Sequence, residues 1–289
     1  MSKKNSIILS IGVLIFVALS VTFFFFDLDI SIALAKENPN FLYVLLAAVG
    51  EFPIYIGPIL FGLVYGFTSE NKNMRLVSHL VGLIAIYIAF IRLTNGIFEN
   101  FFSSNLGMLQ FSLLSLAALF TYVFLFVVFN KIDKEKLYKL RDISLMYLIV
   151  SISSFAIVSG LKLVWGRVRF RALSSDYGEY SNFLTVHGFN NSSLGDDYRS
   201  FPSGHTNSAT SILLLSLIPA RFTSKKWIKY LVSVACLIYP IIVALSRIGV
   251  GAHYASDVLF GFGISVSCFI LTYIIFKKKG WLYARSNKC

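Results

Sequence analysis

Polar residues are sparse in this chain and bunched together, and long stretches without them lie between. Apolar runs cover 6–26, 41–67, 74–93, 108–129, 143–165, 205–220, 228–246 and 254–276. Most approach the roughly 20 residues that a helix needs to cross the hydrocarbon of a bilayer. They read as eight spans. The second is interrupted by Glu51, Pro53 and Pro58, and the sixth is short enough that its first turn is expected to begin near Ser203. The first run follows Lys3 and Lys4, as in a signal peptide, but it is long and ends in Phe23-Phe24-Phe25-Phe26-Asp27 rather than in small residues. An uncleaved first span fits better. Residues 27–40 are polar and suit a short interfacial helix. The one long polar stretch is 166–203.

Composition agrees with the pattern. The 289 residues are 56% hydrophobic and only 14% charged, against about 45–50% and about 25% in soluble domains. The mean hydropathy is +0.73. A formal charge of +12 raises the question of nucleic acid, but the basic residues sit in short loops between apolar runs. Membrane topology accounts for them, and no nucleic-acid partner is expected. Of the 26 basic residues, 18 fall on the side of the termini, including Lys3, Lys4, Lys131, Lys134, Lys277, Arg285 and Lys288. That excess predicts cytoplasmic termini. Trp165, Trp227 and Trp281 stand at span ends, as interfacial aromatics do. Cys236, Cys268 and Cys289 form no disulfide framework and, with four histidines, no metal-ligand spacing. Neither a metal nor another cofactor is expected.

Three polar clusters fall at the ends of four consecutive spans, all on the face away from the termini. The first holds Lys162, Arg167, Arg169 and Arg171. Lys162 lies about 28 Å along a helix from Ile143 at 1.5 Å per residue, at the edge of the hydrocarbon. A single lysine there would simply snorkel. Four cations on the less basic side ask for an anionic partner. The second cluster is Phe201-Pro202-Ser203-Gly204-His205-Thr206. Proline suits a first helical turn, glycine lets an anion approach, and free N–H groups favour phosphate. The third is Ser246-Arg247 followed by His253 and Asp257. With helix from about Ala252, His253 and Asp257 would share a helical face, the carboxylate holding one imidazole nitrogen and leaving the other basic. Cations, a helix start and two histidines suit phosphoryl transfer, which depends on positioning and charge stabilisation.

Lys162 and Arg169, then Pro202-Ser203-Gly204-His205, then Ser246-Arg247, His253 and Asp257 together resemble the three-part signature of the type 2 phosphatidic acid phosphatase superfamily. Order and internal spacing agree. Phe170 stands where the family's first part usually has proline, which bears on loop geometry and removes no functional group. The resemblance is to the bacterial membrane branch, whose enzymes include phosphatidylglycerophosphatase B and undecaprenyl-diphosphatase-like proteins. It implies that His253 attacks phosphorus to become phosphohistidine and that Asp257 orients it. His205 would protonate the leaving oxygen and then deprotonate water. Lys162, Arg169, Ser203, Gly204 and Arg247 would hold the phosphoryl oxygens. It also implies a bell-shaped pH profile and activity that survives chelators.

The resulting expectation is an all-α, polytopic transmembrane bundle of about eight spans: a six-helix catalytic core with extra N-terminal spans. The chain 1–289 would be one integral membrane domain, with the signature in 143–276 and an extracytoplasmic insertion, 166–203. It would be a cell-membrane enzyme taking a lipid phosphate from the bilayer and hydrolysing it at the outer face, with no obligate protein partner. Phosphatidylglycerophosphate and undecaprenyl diphosphate lead as substrates and phosphatidate follows. The alternatives are a lipid phosphotransferase using the same phosphohistidine, and a non-catalytic lipid-phosphate binding or transport protein. Glu51 is costly inside a span and a functional candidate for that reason, with Arg92 as its expected ion-pair partner. His79 reads as an ordinary helix residue and His187 as a solvated loop residue. Tyr177, Tyr180, Phe183 and Phe189 would make the insertion an aromatic cover or a small packed loop.

Overall fold

The computed structural model describes residues 3–36, 38–98 and 107–282. Arg285, Lys288 and Cys289 lie outside them. Every regular element among the described residues is helical. The first half of the chain forms α1 (Lys3–Leu34), α2 (Phe41–Val49), α3 (Pro53–Thr68), α4 (Lys72–Ile97), α5 (Met108–Asn130) and the short α6 (Lys134–Tyr138). The second half forms α7 (Arg141–Trp165), α8 (Gly188–Ser192), α9 (Gly204–Thr210), α10 (Pro219–Phe222), α11 (Lys226–Gly249) and α12 (Ala255–Lys278). Seven stretches are long and apolar enough to cross a membrane: 9–34, 41–68, 72–97, 109–130, 141–172, 226–249 and 255–278. Their outer faces expose Phe25, Phe120, Phe124, Ile152 and Leu231. A helical bundle with an apolar outside and paired polar groups within is what lipid demands. The protein is a multi-pass membrane helical bundle.

Three boundaries differ from expectation. First, Asp27 does not end the first span. The helix continues through Ile30 and Ile32 to Leu34, and the Lys36 N–H then reaches Gly249 O at 3.0 Å. The interfacial helix expected within 27–40 is the end of α1. Second, the stretch 205–220 is no single α-helix, being α9, a 3-10 turn over Ser211–Leu217, and α10. Its first half is polar because it lies inside the protein, packed on α7, α11 and α12. There Thr210 Oγ1 donates to Thr206 O (2.6 Å) and Ser211 Oγ to Ser208 O (2.7 Å), back-bonds that compete with the helical ladder and bend it. Third, α12 begins at Ala255, so His253 precedes the helix instead of standing on it.

The break in the second span is where the sequence places it. Pro53 has no N–H to continue α2 and instead opens α3, and the Tyr147 hydroxyl from α7 donates to Pro53 O at 2.8 Å. Met146, Tyr147 and Val150 of α7 pack with Leu214, Cys268 and Phe276 to join α7 to α12. Leu63, Ile86, Ala118 and Tyr122 join α3, α4 and α5. At the end of α7, Gly166 is left-handed (φ 60°), a conformation that costs glycine no Cβ clash. It turns the chain back over the helix ends. Arg169 N–H then bonds Asp197 O at 2.7 Å, Arg171 N–H bonds Gly251 O at 2.9 Å, and Ser200 N–H bonds Arg167 O at 2.9 Å. The first and last close the insertion on itself, and the second ties it to the turn between α11 and α12.

Candidate active site

His253 sits in the turn between α11 and α12, and its own N–H and that of Ala252 both bond Arg247 O (3.3 and 3.1 Å). Asp257 occupies the third position of α12 and caps the helix, its Oδ2 accepting the Tyr254 N–H at 3.0 Å. The same oxygen stands 3.5 Å from His253 Nδ1. That is longer than an ordinary hydrogen bond. The pairing therefore comes from a capping carboxylate reaching back past the cap.

Asp257 is itself held from several sides. Arg167 Nη1 donates to its Oδ1 at 2.7 Å, and the Ser200 hydroxyl donates to Oδ2. Arg167 continues to Asp27, with Nη2 donating to Oδ2 at 2.9 Å, and Asp27 also accepts the Ser256 N–H (2.9 Å) and hydroxyl (2.5 Å). The Arg167 guanidinium lies 3.9 Å over the Tyr254 ring. Arg167, Asp27 and Asp257 are all fully buried. Arg167 therefore does not join the other cations of its cluster in meeting a ligand. It is spent on two carboxylates within the protein.

The remaining candidates line a cavity of about 780 Å³. Lys162, Arg169, Arg171, Gly204, His205, Arg247 and His253 face it, with Glu51 and Arg92. Lys162 Nζ donates to Arg199 O at 2.5 Å, and Arg169 pairs with Asp196 at 2.8 Å. Arg247 is buried, and its Nε finds no hydrogen-bond partner among the described residues. Ser203 caps α9, its Oγ accepting the Thr206 N–H at 3.3 Å, and it is buried away from the cavity wall. Pro202 precedes this cap and is not part of the helical turn it was expected to open. His205 Nδ1 stands 3.3 Å from Glu51 Oε1, and Glu51 Oε2 accepts from Arg92 Nη2 at 3.1 Å. The expected Glu51–Arg92 ion pair is present.

Burial pushes the His253 imidazole well below its ordinary value of 6.5. The Asp257 carboxylate opposes this, and the cations Lys162, Arg169 and Arg247 push the same way as burial. His253 is thus kept neutral. With Nδ1 turned to a carboxylate, Nε2 is left as the basic nitrogen. Of the other histidines, His79 in α4 bonds the Tyr122 hydroxyl (2.9 Å) and His187 bonds Ser181 Oγ (2.8 Å) in the insertion. Phe183 is buried against Phe201 and Phe260, Tyr180 is half-buried against Tyr254, and Phe189 is exposed.

Residues 143–281 match the family model described as the PAP2 superfamily. The match covers 139 of the 289 residues, just under half of the chain. Similarity to that family points to phosphatase or phosphotransferase chemistry on a phosphate ester, and so supports a phosphoric ester hydrolase. No curated protein and no solved structure matches the chain. The match begins after α6, so Asp27, Glu51 and Arg92 all come from the part of the chain that it leaves out. The sequence reading gave Asp27 no role and did not connect Glu51 to His205. A faint signal for Asp27 lies in Leu28, Ile30 and Ile32, apolar residues within the otherwise polar stretch after it, through which α1 continues.

Proposed function

We propose that the protein is a metal-independent lipid phosphatase of the cell membrane, working through a phosphohistidine at the extracytoplasmic face. The observation that carries this is the sharing of one cavity by His253 and His205 with Lys162, Arg169 and Arg247 between the helix ends. His253 Nε2 attacks phosphorus and Asp257 orients it. His205 gives the leaving oxygen its proton and then takes one from water. Lys162, Arg169, Gly204 and Arg247 meet the phosphoryl oxygens, and Arg247 Nε gains the acceptor it lacks. These cations supply charge stabilisation that other phosphatases draw from metal ions. Ser203 shapes the start of α9.

The same cavity has an apolar side made by Ala47, Ala48, Ile54, Phe155, Val158 and Leu163. Phe155 is also exposed on the outer surface of α7. Such a wall suits an acyl or isoprenyl chain arriving from the bilayer, and phosphatidylglycerophosphate, undecaprenyl diphosphate and phosphatidate are the substrates favoured. The excess of basic residues on the terminal side supports an outer-face cavity.

The test is phosphate release by the purified protein and its His253→Ala variant in detergent with EDTA, against those three lipids and a soluble sugar phosphate. Lipid-dependent release that the variant lacks is expected. Transfer of phosphate to a lipid hydroxyl in place of release would make it a phosphotransferase. Binding of the lipids with neither outcome would leave a binding protein.

A further inference from the structure

We propose that Glu51 is the positioning carboxylate of His205, holding its Nδ1 proton so that Nε2 addresses the oxygen leaving phosphorus. The proposal rests on the phosphohistidine reading above. Glu51 stands in the turn between α2 and α3, where Pro53 interrupts the backbone ladder inside the membrane. The turn is seated against α11, because Gly50 lies so close to Val243 that an added Cβ would meet its side chain at 2.9 Å. The carboxylate is thereby carried to the cavity wall, 3.3 Å from His205 Nδ1.

A carboxylate only accepts, so the facing imidazole nitrogen bears the hydrogen and the lone pair or second proton resides on Nε2. Both cavity histidines then have the same arrangement, Nδ1 to an acid and Nε2 free. For His253 the acid belongs to the PAP2 segment. For His205 it comes from outside it. Neutralising Arg92 does not by itself account for Glu51, since the Arg92 side chain is 56% exposed and Glu51 only 21%. An acid inside a span is costly, and a partly exposed arginine is a weak reason to keep one.

The proton balance gives Glu51 its use. In the first step His253 Nε2 bonds to phosphorus, the bond from phosphorus to the leaving oxygen breaks, and the His205 Nε2 proton passes to that oxygen. In the second step water bonds to phosphorus and yields a proton to His205 Nε2 while the phosphorus–nitrogen bond breaks. His205 alternates between imidazolium and imidazole, and a fixed anion at Nδ1 supports the charged state without moving.

The experiment compares kcat/KM for an alkyl phosphate, whose leaving oxygen needs a proton, with that for 4-nitrophenyl phosphate, whose leaving oxygen does not. Glu51→Gln is expected to lower the alkyl value by about 10–100-fold, up to the lower limit of the roughly 10²–10⁴-fold that a positioned acid contributes, and the aryl value by less than about 3-fold. His205→Asn should show the same selectivity, and the double variant should be no worse than His205→Asn. Glu51→Asp, which keeps the charge, should recover part of the alkyl rate and serves if Glu51→Gln folds poorly. Equal losses on both esters, or a fall in thermal stability alone, would overturn the role of Glu51. If His205→Asn itself treats the two esters alike, the acid assignment in the proposed mechanism fails, and the inference with it.

Discussion

The two ends of the cavity are built on the same unit, a histidine whose Nδ1 faces a carboxylate, yet their surroundings differ. At the His253 end the carboxylate is Asp257, fully buried and bound by Arg167, Ser200 and the Tyr254 N–H, and Arg167 is anchored in turn by Asp27 of α1. At the His205 end the carboxylate is Glu51, part-exposed and shared with a mostly exposed arginine. Low dielectric strengthens the first network and makes every unpaired member of it expensive. The second has fewer fixed partners and is freer to adjust. In the proposed mechanism the nucleophile, His253, must meet phosphorus along one line, whereas the proton donor, His205, follows whichever oxygen leaves. The stiffer scaffold is found at the residue that tolerates less movement.

The largest effect on this contrast should come from Asp257→Asn. It preserves shape but releases the His253 tautomer, and a loss of about 10⁴-fold in kcat is expected, as when the aspartate of a catalytic triad is changed to asparagine. A loss no greater than that of Glu51→Gln would erase the distinction between the ends. Next is Asp27→Ala, which strips Arg167 of one of its two buried acids. Breaking a buried pair costs about 3–5 kcal/mol, so the denaturation midpoint of the purified protein should fall steeply. A midpoint close to wild type would mean that α1 only rests against the PAP2 segment.

The pH profile sharpens the comparison further. Burial holds His253 below its ordinary 6.5, so its neutral form persists as pH drops and is lost only below that value. The acid limb of kcat/KM that belongs to the nucleophile should therefore have its midpoint under 6.5, and a midpoint at or above it would mean that the imidazole is solvated. The smallest effect is expected for Arg92→Gln. Exposed ion pairs contribute about 0.2–1 kcal/mol, so kcat/KM should change by less than about 5-fold, and the change should shrink as salt is added. A larger, salt-independent loss would place Arg92 among the groups that touch phosphate.

Much of this could be read from the chain before any coordinates. Apolar length and the few breaks in it predict the spans, because a bilayer leaves a backbone few options but a helix. Proline at 53 and glycine at 166 mark the two turns that matter, since their effects are local to the backbone. The spacing of Lys162, Arg169, His205, Arg247 and His253 locates the cavity, because each falls at a span end on the same face. Boundaries were less legible where polar residues have two uses: Asp27 reads as the end of a span, and the polar run after Ser203 reads as a short one.

What sequence order cannot carry is partnership between distant segments. Arg167 lies two residues from Arg169, and although the signature picks out only Arg169, nothing in the order of residues shows that Arg169 faces the cavity while Arg167 is buried between Asp27 and Asp257. Nothing near Glu51 in the chain hints at His205. A residue's environment is set by which helices pack beside it, through contacts far apart in sequence, whereas the length, polarity and breaks of each helix are written in the helix itself. The elements and their chemistry thus belong to the chain, and the choice of which acid serves which histidine belongs to the packing of α1, α2 and α3 around the PAP2 segment.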